Sequence, residues 1–201
     1  MSRTSEAKAV KMGASLKKRL TARRAKEQKI RTHRKLLLES VRTHILPILI
    51  QRGFVAAPHT DRDPVDREFV QAFPLGFLRR ARPDGGVDLV EIQFASYGGA
   101  AFRINAGVAP KEGMMTLTGH WPAGEICVGW LNESFEMYAS PRWWAWGWAW
   151  FSLRFWLFRK PVQAEYDELA LRVAGFLPEI DLALREDRLG PHMRRVVIPR
   201  R

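Results

Sequence analysis

An acidic segment with one histidine is the first part of this sequence where a metal ion could bind. His59, Asp61, Asp63 and Asp66 supply four candidate ligands within eight residues. The glycine and the closing glutamate of a calcium-binding loop are missing, however. We therefore interpret the segment as a polar loop whose arginines balance its acids, and we predict no metal site.

A second acidic pattern could support cleavage of a phosphodiester. Asp63 is followed, on a predicted strand, by Glu91-Ile92-Gln93. In restriction-type nucleases two carboxylates of this kind hold Mg²⁺ for attack on the phosphate. Gln93 occupies the position where such sites usually carry lysine, and so short a pattern also arises by chance. A metal-dependent nuclease is therefore the third of three functional alternatives.

The other candidate acids, bases and nucleophiles form no catalytic set. His33, His44, His120 and His192 have no nucleophile or acid at an informative spacing. Cys127 lies in an apolar, strand-like context that is typical of a buried thiol. A single cysteine also excludes an internal disulfide and a cysteine-based zinc site. We predict no catalytic residues.

The sequence also shows no motif for cofactor binding or for export. The glycine pairs at 85–86 and 98–99 are turn glycines, since neither is followed by a helix start of the nucleotide-binding type. We therefore predict no cofactor. The basic N-terminus lacks the apolar run of a secretory signal, because lysines interrupt residues 7–16. We expect a cytoplasmic protein, with an organellar transit peptide as the alternative for a eukaryotic source.

Positive charge is concentrated at the N-terminus. The formal net charge is +12, and residues 1–35 contain thirteen lysines and arginines against two acids, Glu6 and Glu27. The first 35 residues thus carry a surplus of eleven positive charges, and the rest of the chain is almost neutral. The sequence therefore divides into two electrostatic parts: a basic arm and a nearly uncharged body.

The basic arm is rich in helix-forming residues but poor in apolar ones. Between residues 14 and 35 the only large apolar side chains are Leu16, Leu20 and Ile30, so we predict a solvated helix. Such a segment would attract the phosphates of nucleic acid. Anionic lipid headgroups and a purely solubilising tail are the alternatives. The predicted nucleic-acid-binding residues are Lys17, Lys18, Arg19, Arg23, Arg24, Lys26, Lys29, Arg31, Arg34 and Lys35.

The body has the composition of a globular domain, with 46% apolar and 27% charged residues in the whole chain. Helical spacing of apolar residues from Leu36 predicts that the N-terminal helix docks on the core, with a kink at Pro47 and a stop at Gly53. The segment 163–185 is predicted to be a second amphipathic helix, divided at Pro178.

Between the two helices, turn residues and alternating apolar positions predict strands at 68–82, bent or broken at 74–76, and at 87–94 and 102–108, with shorter strand-like pieces at 114–118 and 125–130. The fold class is therefore α+β: an antiparallel sheet meander covered by the N- and C-terminal helices. We expect residues 1–35 to form the arm, 36–192 a single domain, and 193–201 a short, loose, basic tail.

Two surfaces could bind a protein partner. Strand alternation places four polar side chains on one exposed face of the sheet, and the segment 144–150 alternates tryptophan with alanine or glycine. That segment is a strand or part of a helix over 141–159, and the indoles could stack bases, contact a membrane interface or pack in the core. Only eleven residues separate Arg142 from Arg154, too few for a transmembrane span. The predicted partner-binding residues are Glu91, Gln93, Arg103, Asn105, Trp144, Trp146, Trp148 and Trp150.

The order of these features resembles the domain-of-unknown-function 4304 family. The resemblance is carried by residues 45–54, 90–94, 102–108 and 175–179, together with Trp143-Trp144. It implies an α+β domain whose sheet is covered by terminal helices, and it brings no established activity or catalytic residue. The basic arm and residues 145–161 are additions to the family pattern.

Three functions follow as hypotheses. The first is a non-enzymatic protein that binds DNA or RNA through its basic arm. The second is a protein-partner module, such as an immunity or adaptor protein, which uses the sheet face or the tryptophan segment. The third is the metal-dependent nuclease, for which Glu91→Ala is the test.

Overall fold

The computed structural model describes residues 3–57, 67–95, 100–116, 119–139, 150–153 and 162–198, and only the backbone of residues 3–18 and 67. The α-helices are α1 (Arg3–His44), α2 (Leu46–Gln51), α3 (Arg67–Ala72), α4 (Gln163–Ala174) and α5 (Pro178–Glu186). The strands are β1 (Val55–Ala57), β2 (Phe77–Ala81), β3 (Val87–Phe94), β4 (Ala101–Ala109), β5 (Met114–Thr116), β6 (Gly119–Trp121), β7 (Glu133–Met137), β8 (Phe151–Ser152) and β9 (Met193–Val197).

The fold is α+β, as the sequence predicts. In the described residues, seven strands form an antiparallel sheet in the order β1-β2-β3-β4-β7-β9, with β8 paired to one end of β4, and β5 and β6 form a separate hairpin. The central pair β3–β4 has the meander register expected from alternation, with Glu91 opposite Asn105 and Gln93 opposite Arg103. The long N-terminal helix and the C-terminal helices pack together on one face of this sheet.

Apolar residues at helical spacing hold α1 on the sheet. Leu37, Val41 and Ile45 are fully buried at intervals of four residues and meet α4 residues such as Tyr166 and Val173 in the main core. Burial of a side chain of this size stabilises the fold by about 1.5–3 kcal/mol. Among the described side chains of α1, docking therefore involves the last third of the helix.

The predicted kink at Pro47 is a short break in the helix. α1 ends at His44 and α2 begins at Leu46, with Pro47 in its first turn, where a missing N–H costs no hydrogen bond. Gly53 ends α2 with φ +88°, a conformation that favours glycine. The predicted division of the C-terminal helix is also confirmed, because α5 starts at Pro178.

Three predictions about local structure are wrong. The strand expected from residue 68 begins only at Phe77, and residues 67–72 form α3. Phe69, Phe73 and Phe77 are four residues apart, and their rings cluster with centroids 5.1–6.1 Å from each other. The four-residue spacing of Phe69 and Phe73 is typical of a helix, so the phenylalanine-rich composition alone does not predict a strand here.

The region 123–130 contains two 3₁₀ turns, Ala123–Glu125 and Val128–Trp130, in place of a strand. The tail expected to be loose forms β9, which pairs with β7 through residues 193–197. β9 contains two arginines on opposite faces of the sheet, and each forms an ion pair with a glutamate of β7: Arg194 with Glu136 and Arg195 with Glu133. Most of the predicted tail therefore belongs to the domain.

Candidate nucleic-acid interface

The exposed part of α1 presents a row of cations. Every side chain from Arg19 to Gln28 is exposed, and residues 19–31 carry six lysines and arginines against one acid, Glu27. Glu27 pairs with Arg23 at 3.0 Å across one helical turn. Exposed pairs of this kind contribute little and are screened by salt. This stretch therefore carries a formal surplus of five positive charges.

The cations surround the helix. At 100° per residue, Arg19, Arg24 and Lys29 point in well-separated directions about the helix axis, and Leu20 is 50% exposed. A helix that lies in a membrane interface needs an apolar face opposite a basic one. The described part of α1 before residue 30 lacks such a face, so its geometry suits a polyanion better than a lipid surface.

Arg34 fastens the arm to the body. Its guanidinium donates to the carbonyl oxygen of Ala95 at 2.9 Å and to that of Gln71. Burial lowers the pKa of this guanidinium. Arg34 was predicted to bind nucleic acid, but its donors already serve two backbone carbonyls. Arg31 and Lys35 on either side of it are exposed, whereas the side chains of Lys17 and Lys18 lie outside the described part of the chain.

A polar cluster lies on the sheet face opposite the helices. We call it the strand patch: Gln93, Arg103, Asn105, Glu136 and Arg194. Arg103 Nε donates to Gln93 Oε1 at 2.7 Å, and its Nη1 donates to Glu136 Oε1 at 3.2 Å. Arg194 Nε donates to Glu136 Oε2 at 2.9 Å. Two guanidiniums thus share one carboxylate, which leaves the strand patch with one surplus positive charge.

Trp150 borders the strand patch. The guanidinium carbon of Arg103 lies 4.9 Å from the centroid of its indole ring. Extending the β4–β8 register by one residue places Trp150 opposite Arg103, so the contact follows from strand pairing. Trp144, Trp146 and Trp148 lie outside the described residues.

The prediction that Glu91 lies on a solvent-exposed face of the sheet is wrong. Its side chain is only 3% exposed, its Oε1 accepts a hydrogen bond from the Val128 N–H at 2.8 Å, and Arg79 Nη2 lies 3.7 Å away. Residues 121–131 cover this half of the face through a second apolar cluster that includes Leu89, and Arg79 holds them by donating to two of their carbonyls. Glu91 is therefore closed to a partner. It is also unsuited to a metal ion, because its carboxylate already faces a guanidinium.

Asp63 of the nuclease hypothesis, like His59, Asp61 and Asp66, lies outside the described residues. Among the described residues no group of three or more histidines, cysteines or acids is placed to hold a metal ion. Cys127 is buried, as expected. No helix in the described ranges has the length and apolarity to cross a membrane.

One cluster has the residue types of a catalytic triad without its geometry. Ser40 Oγ donates to Asp167 Oδ1 at 2.7 Å, and His44 Nε2 lies 3.3 Å from the same oxygen. Asp167 thus stands between serine and histidine, whereas a triad needs the histidine in the middle. Hydrogen bonds from Gln163 and Ser40 lower the pKa of Asp167. The cluster joins α1 to α4 and activates no nucleophile.

Sequence reasoning missed Glu136 and Arg194 of the strand patch. They face each other across β7 and β9, and Glu136 also faces Asn105 across β4 and β7. Their segments lacked clear alternation, so no face could be assigned to them. No family model, curated protein or solved structure matches this chain, and the resemblance to the domain-of-unknown-function 4304 family stays a prediction.

Proposed function

We propose that this protein binds nucleic acid without catalysing a reaction, and that the exposed cations of α1 make the main contact. The observation that carries the proposal is the stretch 19–31, where the sequence has six cations and one acid, and where the pair Arg23–Glu27 is exposed. The docked end of the helix, held by Leu37 and Arg34, presents these cations outward from the body.

Binding through these cations should depend strongly on salt concentration. Each phosphate that a lysine or arginine neutralises steepens the log–log dependence of affinity on salt by about 0.9 on duplex DNA and about 0.7 on a single strand. The nearly neutral body adds little to this long-range term, because its described arginines mostly pair with its own acids, as Arg80 does with Asp88 and Arg195 with Asp187.

The test compares two variants of equal net charge. The arm variant replaces Arg19, Arg23, Arg24 and Lys26 with glutamine, and the body control replaces the exposed residues Arg42, Lys111, Arg172 and Arg188 in the same way. Binding of the full chain to fluorescein-labelled single-stranded and duplex oligonucleotides is followed by anisotropy at several KCl concentrations. The arm variant should bind more weakly at low salt, with a slope reduced by up to about 3.6 on duplex DNA.

The body control should keep the wild-type slope and affinity. Equal weakening of both variants would show that only the total charge matters, and unchanged binding by the arm variant would refute the proposal. Circular dichroism spectra and melting curves of both variants exclude loss of folding as the cause.

A protein partner is the second candidate function. The pair Arg103 and Trp150 favours it, because these two residue types dominate binding hot spots. In that case, deletion of residues 1–28 leaves capture of the partner intact, whereas Trp150→Ala abolishes it.

A further inference from the structure

Two hydrogen-bonding groups of the strand patch are unused. Gln93 Oε1 accepts from Arg103 Nε at 2.7 Å and from Asn105 Nδ2 at 3.4 Å. These bonds fix which way both amides point. The Gln93 amide nitrogen and the Asn105 amide oxygen remain, and within the described part of the chain neither has a hydrogen-bond partner. Both side chains are only half-buried, so the strand patch offers an oriented donor and an oriented acceptor on two side chains that contact each other.

A donor beside an acceptor complements the Watson–Crick edge of a nucleobase, where a donor and an acceptor are also adjacent. In a duplex that edge is consumed by pairing, so only an unpaired base can use it. The indole of Trp150 and the guanidinium of Arg103 supply the flat surfaces on which unpaired bases stack. The surplus positive charge shared by Arg103, Arg194 and Glu136 suits a phosphate beside that base.

The arm leaves the body at the same end of the sheet. Arg34 donates to Ala95 at 2.9 Å, and Ala95 lies two residues, or about 7 Å, beyond Gln93 along the chain of β3. From Arg34 back to Arg19 the helix rises about 22 Å. About seven stacked nucleotides, at roughly 3.4 Å each, span that distance. A nucleic-acid strand that follows α1 and then passes around this end of the sheet, to the face opposite α1, can reach the strand patch with several more nucleotides.

We propose that the strand patch binds an unpaired nucleobase, and that the protein consequently prefers single-stranded nucleic acid to duplex. The inference rests on the proposed function: the cations of α1 hold the phosphates, and Gln93, Asn105 and Trp150 take one base. The arm alone would bind both forms of nucleic acid, because phosphates are common to both.

The test uses the full chain and four probes of one length: a mixed-sequence single strand as RNA and as DNA, its duplex, and a strand of abasic sites with the same phosphates. Wild type should bind the base-bearing strand about 5- to 100-fold more tightly than the abasic strand, the range expected for stacking one base. A difference between the RNA and DNA probes would identify the natural source of the base.

Matched variants separate the base contact from charge and folding. Gln93→Glu keeps the acceptor for Arg103 but removes the free donor, and Gln51→Glu adds the same charge at an exposed position of α2. Trp150→Leu removes the ring, and Trp150→Phe retains an aromatic face. We expect Gln93→Glu and Trp150→Leu to lose the preference for base-bearing strands, while Gln51→Glu and Trp150→Phe keep most of it.

Equal binding of abasic and base-bearing strands by wild type would overturn the inference, as would a preference that survives both Gln93→Glu and Trp150→Leu. Either result leaves the proposed function standing if the arm variant still loses affinity and salt dependence. If the strand patch variants lost only a protein ligand and no nucleic acid affinity, the protein-partner function would replace the inference.

Discussion

Asp88 is the carboxylate on which the buried charge network of the domain depends. It is 2% exposed and accepts from Arg80 Nε at 2.9 Å and from Arg82 Nη1 at 2.8 Å. Arg80 also donates to Asp181 at 2.7 Å and lies over the ring of Phe54 at 4.3 Å. The network thus ties the β2–β3 hairpin to α5 and to the end of α2.

Asp88→Asn removes the charge with almost no change in shape, and Arg80 and Arg82 then face an amide in a buried site. Breaking a buried ion pair costs about 3–5 kcal/mol, and the loss here should lie near the lower end, because Arg80 keeps Asp181 and Arg82 keeps Asp84. With an unfolding free energy that falls by roughly 2 kcal/mol per molar urea, the unfolding midpoint should fall by about 1.5 M. The assay is urea unfolding followed by circular dichroism, with ligand-free protein.

Asp84→Asn on the same hairpin is the matched control. Asp84 is mostly exposed, pairs with Arg82 at 3.3 Å, and accepts from the Gly86 N–H through an oxygen that asparagine retains. The urea unfolding midpoint of Asp84→Asn should match that of wild type. The double variant Arg80→Met with Asp88→Leu should be more stable than Asp88→Asn, because no unpaired charge then remains at that pair. Equal, small shifts for Asp88→Asn and Asp84→Asn would show that burial of this pair does not govern stability.

Two further predictions concern buried groups. The Tyr166 side chain is fully buried, its hydroxyl has no hydrogen-bond partner among the described residues, and burial raises its pKa to about 12. Tyr166→Phe should therefore leave the melting temperature unchanged or raise it by about 2–4 °C, and a clear fall would reveal a partner for the hydroxyl. Burial opposes ionisation of Asp181, but Arg80 and Arg52 outweigh it, so the pKa of Asp181 lies below its usual value. The unfolded chain therefore binds the proton of Asp181 more tightly than the folded chain does. The ionised Asp181 adds to the free energy of unfolding at neutral pH, and this stabilisation is lost as pH falls below about 4 toward the folded pKa. In urea midpoints measured from pH 7 to pH 3, Asp181→Asn should flatten that acidic loss, and an unaltered profile would exclude Asp181 as its source.

Local pattern was sufficient to predict the main elements of the fold. The spacing of Leu37, Val41 and Ile45 predicts a docked helix, and alternation in 87–94 and 102–108 predicts the central strands, because each signal lies within one element. The position of Pro178 gives the start of α5 in the same way. Apart from α3, whose helical spacing is itself local, the failed predictions depend on what another segment does.

Glu91 shows why the site was only partly predictable. Alternation assigns it to the correct face of β3, but the cover provided by 121–131 comes from a segment with no regular period, held by Arg79 and by apolar side chains. Glu136 and Arg194 likewise meet across β7 and β9, which are about sixty residues apart in sequence. Local alternation predicts the face of the sheet on which a residue lies, but its exposure depends on which other segments cover that face.

The join between arm and body determines how the two proposed contacts combine. Once the cations of α1 hold a nucleic-acid strand, its bases meet the strand patch at an effective concentration set by the length of nucleic acid between the two contacts, so the patch needs little affinity of its own. Salt weakens the phosphate contacts but not a stacked base. The preference for base-bearing over abasic strands should therefore persist as salt rises, while the affinity for both declines in parallel. A preference that vanished with salt would place the discrimination in the arm.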